Sequence, residues 1–256
     1  LMSDVLQLLN RIARETSVST VWELAVGYFA SHGFSRANYG LTRFRVAGSI
    51  GDPDDAIYLT SFPAGYSNFY FRGGFYARTA LYRWAVDNEG HCTWRWVEEK
   101  LLRDELTPTE VSAVRQNSQW GLRAGLTFSF HDATTRAKGA LGLAADPGID
   151  HDGVDAILAR VGDGIEAVAQ MLHLRICHLP HAARRRTLSA RQREALEWVA
   201  EGKTTQDIAM LMGISNAMVE KHLRLARAAL NVETTAQAVA KGTLLHQIFL
   251  PDVAQR

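Results

Sequence analysis

LSARQREALEWVAEGKTTQDIAMLMGISNAMVEKHLRLARAALNVETTAQAVAKG, running from Leu188 to Gly242, carries the strongest structural signal in the chain. Ser189 is followed at three-residue spacing by Gln192, Thr204 by Asp207, and Thr234 by Gln237. Each pair marks a helix start whose side chains satisfy otherwise unpaired backbone N–H groups. Gly213 supplies a tight turn and Ser215 can cap the helix that follows. Within that helix Val219, Leu223, Ala226 and Leu230 recur at three-to-four spacing and form one apolar stripe, while Asn216, Ala217, Lys221 and Arg224 lie on the other side. Two helices joined by a short glycine turn, the second apolar behind and basic in front, fit the major groove of double-stranded DNA. A helical hairpin buried in a larger core would share the periodicity, but the compact, separately capped unit favours the DNA reading.

The charge distribution points the same way. Residues 180–256 hold 11 Lys/Arg against 7 Asp/Glu, a net of +4, whereas residues 1–179 hold 17 against 20, a net of −3. The positive end is the one with the helix-turn-helix. Lys221 and Arg224 are expected at base edges or phosphates, Asn216 and Ala217 near the groove, and Lys203, Thr204 and Arg227 at the DNA backbone.

With 256 residues, 47% of them hydrophobic, the chain has material for two ordinary domains. No run reaches the roughly 18 apolar residues of a membrane span. The opening LMSDVLQLLNRIARE reads as an amphipathic helix rather than a signal peptide, so a cytoplasmic protein is expected. Cys92 and Cys177 are far apart, each beside a histidine in His91-Cys92 and Cys177-His178. Without the close spacing of metal ligands, both are expected to be ordinary core thiols, with neither a disulfide nor a metal site.

Before the basic unit, helix and strand patterns alternate. Leu6, Leu9 and Ile12 mark a first helix; Val21, Leu24, Ala25 and Phe29 mark a second that stops at Gly33. Strand alternation occupies Asn38–Val46, Ile57–Phe62, Ala124–His131 and Ala140–Ala145. A helix-rich middle runs from Ala64 to Trp120, and Asp152–Cys177 is a long helix with Val154, Ile157, Leu158, Val161, Ile165, Val168 and Leu172 on one face. The expected fold class is α+β. An N-terminal α/β/α sandwich with an antiparallel sheet covers 1–176, a linker covers 177–187, and an all-α four-helix helix-turn-helix domain covers 188–256. The linker carries a proline and Arg184–Arg186, a solvated basic run able to meet phosphate.

Eleven aromatic residues fall within the 35 residues Phe62–Trp96. Most should pack in the core, but aromatic walls with polar tips are also how small-molecule cavities are built. Phe62, Tyr66, Tyr70, Thr79, Trp84 and Trp94 are the candidate contacts.

The C-terminal stretch resembles the LuxR family of transcription factors in Leu188-Ser189, Leu196, Glu201-Gly202-Lys203-Thr204, Ile208-Ala209, Ser215 and Val219-Glu220-Lys221-His222-Leu223. It departs at Ala190, Gln192 and Met218, none of which removes a basic contact. The N-terminal part more faintly resembles the autoinducer-binding domain of that family's quorum-sensing members. Tyr66 and Tyr70 stand for the family's Trp-x-x-x-Tyr pair, Trp94 for its second tryptophan and Gly125 for its glycine, while Thr79-Ala80 replaces Asp-Pro. In the family that aspartate accepts the amide N–H of an acyl-homoserine lactone. Losing a good acceptor for a buried amide costs about 1–3 kcal/mol, so a different effector with an aromatic or hydroxylated portion is expected. The resemblance implies a ligand-responsive regulator, dimeric on DNA, with reader helices about 34 Å apart.

Other classes fit less well. A response regulator would need an acidic cluster at the strand ends of a parallel α/β domain, and an enzyme would need a nucleophile, metal or phosphate-loop motif that the chain does not carry. A regulator whose first domain serves only dimerisation or partner binding is the competing alternative.

Overall fold

The computed structural model describes residues 2–46, 50–51, 53–132, 134–180 and 187–249. Arg184–Arg186 lie outside the described residues. The chain divides into two compact units, Leu1–Cys177 and His178–Arg256.

The first unit opens with α1 (Met2–Arg14) and α2 (Val18–Ala30). Val21, Trp22, Ala25 and Phe29 are buried, so α2 buries the stripe its sequence predicts. In α1 Ile12 is buried, but Leu6 is 55% exposed and does not join the core. Gly33, at φ +92°, turns the chain into the sheet. Five antiparallel strands, β1 (Arg36–Thr42), β2 (Ile57–Thr60), β3 (Gly90–Thr93), β4 (Gly125–Ser129) and β5 (Lys138–Ala144), assemble in the order β2-β1-β5-β4-β3. Helices α3 (Ala64–Ser67), α4 (Ala80–Asp87), α5 (Arg95–Leu102) and α6 (Pro108–Gln119) come from the middle of the unit, together with a π turn at Asn68–Arg72. The long α7 (His151–His178) closes it, with Val154, Ile165, Val168, Leu172 and Ile176 buried.

The middle is helix-rich as expected, but it also holds β3, paired with β4 from Gly90↔Ser129 to Thr93↔Leu126. Four residues, GHCT, are too few to show alternation, and pairing with β4 is what makes them a strand. The first strand ends at Thr42, short of Val46, where the Thr42 hydroxyl bonds to the Ile50 carbonyl.

The sheet has two different faces, as the twofold alternation of strand side chains requires. Ala37, Tyr39 and Leu41 of β1 and Leu141 and Leu143 of β5 are large or fully buried. Their face takes α7, where His173 meets Tyr39. The alternate residues are smaller: Asn38 and Gly40 on β1, Ala140, Gly142 and Ala144 on β5. That second face is the floor of a cavity.

The second unit is built from α8 (Ala190–Ala200), α9 (Thr205–Met212), α10 (Asn216–Leu230) and α11 (Thr235–Leu244). Ser189/Gln192, Thr204/Asp207 and Thr234/Gln237 each form a reciprocal capping box. Ser215 accepts the Met218 N–H, and Gly213 closes α9 at φ +65°. Val219, Leu223, Ala226 and Leu230 are all buried. None of the described helices is long and apolar enough to cross a membrane.

Candidate functional site

The first unit contains a cavity of about 1070 Å³ between the small-residue face of the sheet and the middle helices. Its volume follows from the strands beneath it. A Cβ on Gly142 would meet nothing nearer than the Asn38 carbonyl oxygen at 4.0 Å, so the space above the floor is open. Gly125 has the opposite role. A Cβ there would fall against the Leu143 carbonyl oxygen and 2.8 Å from the Trp94 ring, so this glycine lets both the neighbouring strand and the indole approach β4 closely.

Phe62, Tyr66, Tyr70, Thr79 and Trp94 all line the cavity. Phe62 stacks on Tyr66 with centroids 4.4 Å apart, and Tyr66 stacks on Tyr70 at 5.5 Å, so three rings form one wall. Tyr70 lies deep in the unit yet keeps accessible surface, because that surface faces the cavity. Burial, with Tyr76 beside it, pushes its phenol up to about 12. Burial also raises Tyr66 and Tyr58, so these rings offer neutral hydroxyls.

The polar tips are partly committed. Tyr66 donates to Asn117 Oδ1 at 3.3 Å, and the Trp94 indole N–H donates to Thr127 Oγ1 at 3.0 Å. Thr79 caps α4: its hydroxyl accepts the Tyr82 N–H at 3.1 Å and donates to the Tyr76 carbonyl at 2.8 Å. One lone pair is left for a ligand. Trp84 does not line the cavity; it lies two residues along α4 from the lining Tyr82, about 200° around the helix.

Several lining residues escaped sequence reasoning. Tyr58, Tyr76 and Tyr82 extend the aromatic wall, with ring centroids 6.3 Å apart for Tyr58 and Tyr76 and 5.4 Å for Tyr76 and Tyr82. His151, at the start of α7, also lines the cavity, and its buried Nδ1 has no hydrogen-bond partner among the described residues. Glu110 also lines the cavity, with Arg83 at 2.7 Å. Its carboxyl is held below the usual range: burial works against this, but the Arg83 guanidinium and the Thr107 N–H outweigh it. Gly40 on β1 and the alternate small residues Ala140, Gly142 and Ala144 on β5 were the available signal for this cavity.

In the second unit Asn216, Ala217, Lys221 and Arg224 are exposed on α10. Ala217, Lys221 and Arg224 lie opposite the buried stripe. Lys221 and Arg224 make no ion pair or hydrogen bond among the described residues, so their charge faces outward. Lys203 and Thr204 are exposed at the N-terminus of α9, with Thr204 engaged in its capping box. Arg227 is turned inward and donates to Thr235 Oγ1 at 2.9 Å, tying α10 to α11. Glu220 accepts from Thr205 at 3.1 Å and ties α10 to α9.

Both cysteines are free. Burial pushes each thiol up to about 11. The His91-Cys92 and Cys177-His178 pairs form no ligand cluster among the described residues; Cys177 instead neighbours His173 and Asp132.

Residues 17–176 match the model of the autoinducer binding domain, and residues 186–241 match that of bacterial regulatory proteins of the luxR family. The transcriptional activator LuxR of Aliivibrio fischeri is 22% identical over 206 residues, covering 79% of each chain. RpaR, a quorum sensing-dependent transcriptional regulator of Rhodopseudomonas palustris, is 36% identical over 155 residues, covering 60% of each. Among solved structures, SdiA in complex with octanoyl-rac-glycerol is similar with a TM-score of 0.52, 20% identity and 95% coverage of both chains.

Proposed function

Because the chain belongs to the autoinducer-binding, LuxR-type family of bacterial regulators, we propose that the cavity above β1 and β5 receives the effector that governs its DNA binding. The protein is a transcriptional regulator with a small-molecule-binding domain followed by a helix-turn-helix domain. The observation that carries the effector reading is the cavity itself, about 1070 Å³ and walled by Phe62, Tyr66 and Tyr70.

The lining favours an effector with an aromatic or acyl body and carbonyl or hydroxyl groups. Thr79 brings no charge and has already committed its proton, so the amide N–H of an acyl-homoserine lactone has no carboxylate to meet there. Octanoyl-rac-glycerol, held by SdiA, is a molecule of the favoured kind: an acyl chain on a hydroxylated head. We assign the protein to the cytoplasm and to a homodimer on a pseudo-palindromic site, with Lys221 and Arg224 of each copy entering the major groove. An effector that binds one quaternary state better than the other shifts the population, and with it operator occupancy.

The test is a thermal-shift panel on the full chain with monoacylglycerols, phenolic compounds and acyl-homoserine lactones, followed by DNA binding at fixed salt. Stabilisation by a hydroxylated or aromatic compound, with altered operator affinity, is the expected result. Tight DNA binding with no stabilisation by any compound would assign the first unit to dimerisation or partner binding alone.

A further inference from the structure

The floor of the cavity runs along β1 and β5, and its far end carries positive charge. Near the middle of the floor Gly142 pairs with Asn38 on one side and on the other with Thr127, whose hydroxyl holds the Trp94 indole. Lys138 lies on the same face of β5, opposite Thr42, about 13 Å along the strand from Gly142. Beyond Thr42 the chain stays beside the start of β5, where the Arg45 N–H donates to the Arg136 carbonyl at 2.9 Å. Thr42, Arg45 and Lys138 all line the cavity.

The aromatic wall leads to the same end. From Tyr70 the ring contacts pass to Tyr76 at 6.2 Å, then to Tyr82 at 5.4 Å and to Tyr58, which stands on β2 opposite Gly40. The Arg45 guanidinium is near enough to Tyr82 to oppose the rise that burial gives its phenol, and near enough to Lys138 to help burial lower that ammonium. Two half-buried cations thus share one end of a cavity walled by neutral phenols.

Neighbouring carboxylates leave both cations with donors to spare. Neither Arg45 nor Lys138 forms an ion pair among the described residues. Asp132 and Glu89 are close enough to favour the Lys138 charge, but each is engaged elsewhere. Asp132 accepts the Gly139 N–H at 2.8 Å and lies 3.3 Å from His173, and Glu89 is 2.9 Å from His131. Asp87, also in the lining, is one helical turn from Arg83 on α4. Lys138 gives two N–H groups to the Asn88 and Phe130 carbonyls, each at 3.2 Å, and keeps a third. Arg45 spends Nε on the Thr135 carbonyl at 3.1 Å, while its Nη groups make no hydrogen bond among the described residues. Like charges held together in partly dry surroundings cost energy, and an anion beside both offsets it.

We propose that this end of the cavity binds a carboxylate carried at the tail of the effector, with Arg45 Nη and the remaining Lys138 N–H donating to its oxygens. The assignment rests on the reading of the cavity as the effector site and adds the class of molecule. Its carbonyl or hydroxyl head lies by Tyr66, Tyr70 and Trp94, and its acyl body runs over Gly142 and Ala140 to an acidic terminus.

The test is titration calorimetry on the full chain near neutral pH, at low and high salt. Glycerol monoesters of octanoic, decanoic and dodecanoic acid are compared with those of octanedioic, decanedioic and dodecanedioic acid. For at least one chain length the free carboxylate should tighten binding by about tenfold or more, and salt should reduce that gain. Arg45→Met and Lys138→Met should each lose most of the gain. If Lys138→Met does not fold, Arg45→Met decides, since its side chain holds only the Thr135 carbonyl among the described residues. Neutral esters that bind with no gain from the carboxylate at any length, or a gain that survives in Arg45→Met, overturn the acidic end and leave the effector reading standing. Binding by neither series overturns the acidic end as well, and the wider compound panel then decides the effector reading.

Discussion

The hydroxyl of Thr79 accepts the backbone N–H of Tyr82 at 3.1 Å, so the residue that stands where the family has its ligand-binding aspartate is also the N-cap of α4. Thr79→Ala should cost about 1 kcal/mol through the lost cap, which lowers the melting temperature by roughly 2–4 °C. Aspartate caps helices at least as well as threonine, so Thr79→Asp should keep that stability. It also places a carboxylate at the cavity and should strengthen acyl-homoserine lactone binding by about 1–3 kcal/mol. Titration calorimetry with one lactone on both proteins decides it; equal affinities would remove residue 79 from ligand selection.

Gly142→Val should project two methyl groups into the cavity from the middle of its floor, since the glycine faces open space and has an ordinary strand backbone. Expected are an unchanged or slightly higher melting temperature without effector and at least a tenfold loss of effector affinity. If affinity for large and small effectors alike is preserved, ligands do not occupy the space above β5.

Lys221→Ala should weaken operator binding by about 1–3 kcal/mol if the ammonium reads a base edge, with relaxed preference at one position. A uniform loss over all sequences, with the salt dependence reduced by about one ion, would make it a phosphate contact. Arg227→Ala should behave differently, because its guanidinium holds Thr235. A lower melting temperature with near-normal sequence preference is the outcome that agrees with the structure, and fluorescence anisotropy at several salt concentrations separates the two cases.

The Arg83–Glu110 pair makes a pH prediction. The folded chain holds Glu110 below the ordinary carboxylate value, so its contribution is present above that ordinary value and is lost as pH falls through the lower, folded one. Between neutrality and pH about 5 the pair should add no pH dependence. Below that, the wild type should lose stability more steeply than Glu110→Gln, as read from urea unfolding at several pH values.

How much of this was legible in the sequence depended on range. Ser189/Gln192, Thr204/Asp207 and Thr234/Gln237 are local signals, and each became the reciprocal cap its spacing indicates. β3 was not legible, because Gly90–Thr93 is a strand only through its register with β4, more than thirty residues away. The aromatic segment identified one wall of the cavity in Phe62, Tyr66 and Tyr70, but the side chain of Trp84 was assigned by composition when its position around α4 decides the matter. The inward turn of Arg227 depends on Thr235, on another helix. The Asp132–His173–Cys177 cluster joins a loop to a helix some forty residues later, and neither spacing nor motif connects them.

Gly40, Ala140, Gly142 and Ala144 make the floor of the cavity a ruler graduated in single methyl groups. Lengthening any one of them shortens the molecules that fit, and one methylene in an apolar pocket is worth about 1–3 kcal/mol, or 10- to 200-fold in selectivity. Descendants of this protein could therefore move from one chemical signal to another by single substitutions on two neighbouring strands, while Tyr66, Trp94 and the whole DNA-reading unit stay as they are.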